Sequence, residues 1–177
     1  MDDSYFSQFI NDPSQENFAE LRNAHLQSGY DPYSSELEGI DQLLKEAKFE
    51  EVVARIKQVM TPNFLLSPST HLRLAAAYEG TGDQEKCELE RAIGRALIKG
   101  IQESGKGTPE EPYKVTRTSD EYDLLYFEGL KFESQSLREV DGRRMDVLKT
   151  KEGREIWFDV SDLLAAIKAK LTKKGPQ

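Results

Sequence analysis

Near residue 108 the spacing of apolar residues in this chain changes from helical to strand-like, and that switch limits the folds open to it. Before it, apolar residues recur every three to four positions. After it they alternate between Tyr113 and Val160, and one last helical stripe follows. The pattern predicts an α+β protein, with N-terminal helical hairpins, a C-terminal antiparallel β-sheet meander and a final amphipathic helix. Two segments are expected to pack as one unit, 1–107 helical and 108–177 built on the sheet. A chain of 177 residues can bury a core of that kind.

The helical part divides at its turn residues. Asn11-Asp12-Pro13-Ser14 is a turn and N-cap cluster, so a loose start leads into a helix carrying Phe18, Leu21 and Leu26 and closed by Gly29. Tyr30-Asp31-Pro32-Tyr33-Ser34 reads as a linker, with Ser34 or Ser35 capping the next helix. Leu37, Ile40, Leu43 and Leu44 form one stripe and Val52, Val53, Ile56, Val59 and Met60 a second, with Lys45 to Phe49 as the turn. Thr61-Pro62-Asn63 stops that hairpin. Ser67-Pro68-Ser69 opens another, with Leu72, Leu74, Ala75 and Tyr78 ahead of the turn at Gly80-Thr81-Gly82-Asp83. Cys87, Leu89, Ile93, Ala96, Leu97 and Ile101 follow it. The hairpins repeat at a shift of 35, which sets Leu43 against Tyr78, Ala47 against Gly82 and Val52 against Cys87. The second resembles the tetratricopeptide pattern in Ala75, Tyr78, Gly82-Asp83, Cys87 and Gly94. It departs from that pattern at Arg91 and Lys99.

In the β part, Tyr113 to Thr118 reads as a strand. Tyr122 to Phe127 reads as a central one, with Tyr122, Leu124 and Tyr126 on one face and Leu125 and Phe127 on the other. Residues 131–140 and 144–150 flank Asp141-Gly142, a hairpin turn signal. The last strand sets Ile156, Phe158 and Val160 on one face and Trp157 and Asp159 on the other. Ser161 is placed to cap a helix whose stripe is Leu163, Leu164, Ile167 and Leu171, with Lys168, Lys170, Lys173 and Lys174 toward its negative end.

Charge narrows the partners. The net charge is −8, and residues 1–60 carry five Lys and Arg against twelve Asp and Glu. An acidic body repels phosphate backbones, so nucleic acid is not expected as a partner, and a protein or peptide of basic character is. The same charge also serves solubility. No apolar run spans a bilayer and the start lacks a leader-like pattern, so no membrane role and a cytoplasmic location are expected.

No catalytic, metal or cofactor set is expected. Gly100 and Gly105-Lys106-Gly107 approach a phosphate-loop pattern. Gly107 stands where Ser or Thr should be, and the stretch closes a helix rather than opening one. His25 and His71 have no ligand partners at helical spacing, so both read as surface or packed histidines. Cys87 falls where helix backbones approach, so a buried inert thiol is expected. Asp120, Glu121, Asp123 and Glu128 form an acidic run, and Asp146 and Asp159 interrupt apolar strands. Ion pairs explain them, with Arg143, Arg144 and Arg154 as donors, although paired carboxylates also do acid–base work. The candidate ligand surface is Tyr122, Asp146, Trp157 and Asp159.

Many of these landmarks occur together in one family. They are Tyr30-Asp31-Pro32-Tyr33-Ser34, Ala77-Tyr78-Glu79, Gly82-Asp83, Glu90-Arg91-Ala92-Ile93, and Gly105 to Glu110. They continue with Asp120-Glu121-Tyr122, Gly129-Leu130, Gln135-Ser136-Leu137, Asp146-Val147-Leu148 and Trp157 to Ser161. In these the chain resembles an uncharacterised bacterial domain-of-unknown-function family that joins tetratricopeptide-like helices to a C-terminal β module. The resemblance implies that arrangement and no activity. The leading expectation is a non-enzymatic protein- or peptide-binding scaffold. The alternatives are a small-ligand or sugar-binding protein or weak hydrolase, with its site between sheet and helices, and an acidic antitoxin-like protein.

Overall fold

A computed structural model describes residues 3–173, with side chains from Ser4 to Lys168. The chain runs α1 (Asp3–Asn11), α2 (Gln15–Gln27), α3 (Ile40–Lys45), α4 (Phe49–Val59), α5 (Pro68–Thr81), α6 (Gln84–Glu103), β1 (Tyr113–Lys114), α7 (Thr118–Phe127), β2 (Phe132–Val140), β3 (Arg143–Thr150), β4 (Glu155–Asp159) and α8 (Ser161–Lys173). It is an α+β fold with the sheet late in the chain.

Local chemistry accounts for the boundaries. The Ser14 hydroxyl accepts from the Asn17 amide at the start of α2, and Asp83 accepts from Lys86 at the start of α6. The expected loose start is instead the helix α1, whose Phe9 is fully buried against Phe18. Neither Ser34 nor Ser35 caps α3, because a further turn intervenes and Gly39 holds the N-cap position. Where α5 crosses α6, a Cβ on Gly94 would press on Leu72 and on the Pro68 carbonyl. A Cβ on Gly100 would overlap the Phe18 ring, so that glycine lets α2 lie close on α6. Beyond α6 the loop folds back, with the Lys106 amide donating to the Glu111 carbonyl. The left-handed residue there is Gly107 (φ +67°), not Gly105.

The sheet has the order β1-β4-β3-β2. β2, β3 and β4 form the expected antiparallel meander. The short β1 pairs parallel to β4, which the alternation alone did not reveal. Asp141 and Gly142 both have positive φ (51° and 74°), as a two-residue hairpin turn requires. β3 and β4 are the central strands, and their apolar residues are covered on both faces. β2 is an edge, exposed from Phe132 through Glu139.

Three apolar clusters hold these elements. The largest joins the two sequence segments: Phe9, Phe18, Leu21, Leu97, Ile98 and Ile101 from the helices meet Leu124, Leu125, Leu148, Ile156, Phe158 and Val160. A second fills the α3–α6 hairpins around Ile40, Val52, Ile56, Leu74, Tyr78 and Cys87. The third, on the outer sheet face, is Met145, Val147 and Trp157. Leu163 is buried in the largest cluster. Lys174 and the side chains of Lys170, Leu171 and Lys173 lie outside the described residues. Ser161 lies in the first turn of α8, and its hydroxyl accepts from the Arg144 amide instead of capping the helix.

A candidate binding cleft on helix α7

The segment read as a central strand, Tyr122 to Phe127, is the second half of helix α7. Arg117 has extended backbone (φ −139°, ψ 151°), and Asp120 caps the helix entry. Its carboxylate accepts from the amides of Thr116 (3.1 Å) and Arg117 (2.9 Å) and from the Thr116 hydroxyl (2.9 Å). Asp120 and Glu121 also suit the positive end of the helix. On a helix, Asp120, Glu121, Leu124 and Leu125 turn inward, while Tyr122, Tyr126 and Phe127 turn out. The apparent alternation arose because the outward residues are aromatic. Burial, not hydrophobicity, separates the two faces.

Arg117 fastens this helix start to the rest of the molecule. It is buried, and its guanidinium donates to the carbonyls of Asp31 (2.8 Å), Asn63 (2.9 Å) and Ser34 (3.1 Å). It lies 4.5 Å from the centre of the Phe64 ring. The Tyr30 hydroxyl donates to the Thr116 carbonyl beside it. The stretch expected to be a linker, Tyr30 to Ser34, is thus pinned to α7.

The acids around α7 differ sharply. Asp120 and Glu121 are fully buried. Burial, then the Asp146 carboxyl, pushes Glu121 up to about 10, so it is protonated at neutral pH, and neither of its carboxyl oxygens has a hydrogen-bond partner. Asp146 is raised by burial, against the opposing influence of the neighbouring Glu121 and Gln135 side chains. Burial and then Asp123 push Asp120 up to about 7, opposed by Thr116 and Arg117. Above the pair, the Tyr122 hydroxyl donates to Gln135, and the Tyr122 ring meets Phe132 edge-on at 5.1 Å. Burial, then Asp146 and Glu121, raises the Tyr33 hydroxyl as well.

The four residues expected to form one surface do not converge. Asp146 stands opposite Phe158 on the helix-facing side of the sheet, with Tyr122 nearby. Trp157 and Asp159 lie on the outer side, opposite Val147 and Met145. Trp157 is 9% exposed, and the Arg138 guanidinium lies 4.9 Å from the centre of its ring. Asp159 pairs with Lys114 at 2.8 Å. Burial raises its pKa, but the Lys114 and Ser161 hydrogen bonds outweigh that and hold it below the usual range. Of the expected arginine donors, Arg143 donates to the Pro109 carbonyl instead.

Cys87 is buried and free. His71 is held by Glu90 (2.7 Å) and the Leu65 carbonyl (2.9 Å). His25 is buried, with its ring 4.1 Å from that of Tyr30. Burial, then Arg117, lowers its pKa to about 4. Among the described residues no cluster of three His, Cys, Asp or Glu side chains could hold a metal ion. Nor is any helix among them long and apolar enough to cross a membrane.

An apolar concavity lies on the other flank of α7. A cleft of about 490 Å³ runs over α5 between α3 and α7. Its apolar lining includes Leu44, Leu72, Ala76, Ile98, Tyr126 and Phe127. Tyr126 is 85% exposed and Phe127 49%. Asp41 grips Arg73 with both carboxylate oxygens (2.7 and 2.9 Å), while Asp123 accepts from the Ser69 amide (3.1 Å). Burial raises Asp123 despite that bond. A neighbouring hollow of about 270 Å³ shares Ser69, Arg73 and Asp123 and continues toward Leu37, Phe64 and Tyr122. Sequence reasoning missed Tyr126, Phe127 and Arg73 as wall residues. The signal at hand was Thr116 to Asp120, a polar run suited to capping a helix.

Residues 17–169 match the model of a family described as Domain of unknown function (DUF4919), and the chain belongs to that family. No curated protein and no solved structure matches it.

Proposed function

We propose that the protein is a non-enzymatic interaction module that holds a short peptide segment of a partner in the cleft over α5. The observation that carries this reading is the exposed aromatic wall of α7. Tyr126 and Phe127 stand free beside an apolar floor, an arrangement typical of protein-recognition surfaces. A cleft of about 490 Å³ takes one or two large side chains. Charge defines the rest of the partner. Asp41 and Asp123 outnumber the single cation in the lining, Arg73, and residues 1–60 are strongly acidic. The segment should therefore pair an aliphatic or aromatic residue with Lys or Arg. On this reading the α3–α4 and α5–α6 hairpins act as a tetratricopeptide-like pair whose α5 surface α7 converts into a groove. The buried reduced Cys87 suits action in the cytoplasm.

The alternative of a small-ligand site or hydrolase draws less support, because Tyr122 and Asp146 lie on the opposite sheet face from Trp157 and Asp159. The test is a displayed random-peptide selection followed by calorimetry with the purified protein and with Tyr126→Ala. Selected sequences should combine apolar and basic residues, and Tyr126→Ala should weaken them about tenfold or more. Saturable peptides without basic residues, or peptides indifferent to Tyr126, would overturn the reading.

A further inference from the structure

The free edge of the sheet has the pairing groups of a two-fold interface. β2 is nine residues long and exposed from Phe132 to Glu139, and its other edge pairs with β3. The two-residue turn at Asp141-Gly142 fixes which backbone groups point outward. Val140 and Arg143 close the hairpin as a hydrogen-bonded pair, so inward and outward residues alternate from there. Gln135, Leu137 and Glu139 therefore present their N–H and C=O groups to the free edge. Their side chains share the face of Asp146, since Leu137 stands opposite Asp146. Leu137 is 60% exposed.

We propose that this edge pairs antiparallel with the same edge of a second copy, with Leu137 on the two-fold axis. Pairing across such an axis must keep each side chain on its own face, so one residue pairs with itself. With Leu137 at the centre, Leu137 meets Leu137 and Gln135 meets Glu139 twice. All three pairs have outward backbone groups and supply about six hydrogen bonds. On the other face Ser136 meets Arg138 and Ser134 meets Val140, so within residues 134–140 no like charges oppose one another. In this register the exposed leucine of the strand covers its own copy. This edge shares no residue with the lining of the α5 cleft. Failure of either proposal leaves the other standing.

The test is sedimentation equilibrium of the full chain across a concentration series, alongside amide exchange of the same samples. The expected result is a mass rising from 20.1 kDa toward twice that value. Concentration-dependent protection should fall on the amides of Gln135, Leu137 and Glu139. Leu137→Lys sets two ammonium groups on the axis and should raise the dissociation constant about tenfold or more with an unchanged circular dichroism spectrum. A protein that stays at 20.1 kDa overturns the proposal. So does a dimer that protects other amides or tolerates Leu137→Lys. Because exchange is read on the unsubstituted chain, the outcome stands whether or not the variant folds.

Discussion

Replacing Glu121 with glutamine should stabilise the protein increasingly as pH rises. In the fold Glu121 is buried against Asp146 and its pKa is pushed up to about 10, whereas the ordinary value is 4.5. Between those values the folded chain holds a proton that the unfolded chain has released. Stability is therefore greatest at low pH for this group and falls as pH rises, by up to about 1.4 kcal/mol per pH unit. Glutamine keeps the shape but carries no proton to lose. The difference between variant and parent should be small near pH 5. It should reach on the order of 3 kcal/mol by pH 7.5, with the neighbouring Asp146 making this an upper figure. Asp120, Asp146, Tyr122, Tyr33 and Gln135 surround the site in both proteins, so the difference isolates Glu121. Urea unfolding at intervals from pH 5 to 9 measures it. Two parallel stability curves would show Glu121 to be ionised in the fold, and the account of the pair would be refuted.

Three further outcomes follow from the same geometry. Arg117→Ala removes a buried cation that serves three carbonyls and covers Phe64, and should cost about 3 kcal/mol or more in urea unfolding. Gly100→Ala drives a methyl group into the Phe18 ring and should lower stability by about 1–3 kcal/mol, with Phe18→Ala in the same chain relieving part of the clash. His25→Phe should flatten the acid side of the stability profile. The folded pKa of His25 lies near 4 and the ordinary one at 6.5, so the unfolded chain gains the proton first and the parent loses stability as pH falls through that window.

The sequence revealed those parts of this fold whose local chemistry and burial agree. The Asp141-Gly142 hairpin and the alternation in Ile156 to Val160 follow from short-range rules, and both are present. α7 did not yield to those rules. Its exposed face is aromatic and its buried face contains Asp120 and Glu121, so hydrophobicity pointed the wrong way. The same inversion hid the candidate site. Asp146 and Asp159 looked alike as acids among apolar strand residues, yet strand pairing sends one to Glu121 and the other to Lys114. The parallel β1 was illegible for a different reason. Its pairing depends on where β4 returns some forty residues later, and no turn encodes that.

The claim that the α5–α7 cleft is the working surface is tested most directly by amide chemical-shift mapping with a selected basic, apolar peptide. The account predicts that saturating shifts concentrate at Ser69, Arg73, Ala76, Asp123, Tyr126 and Phe127 and are lost in Tyr126→Ala. Shifts centred on Trp157 and Asp159, across the sheet, would contradict it.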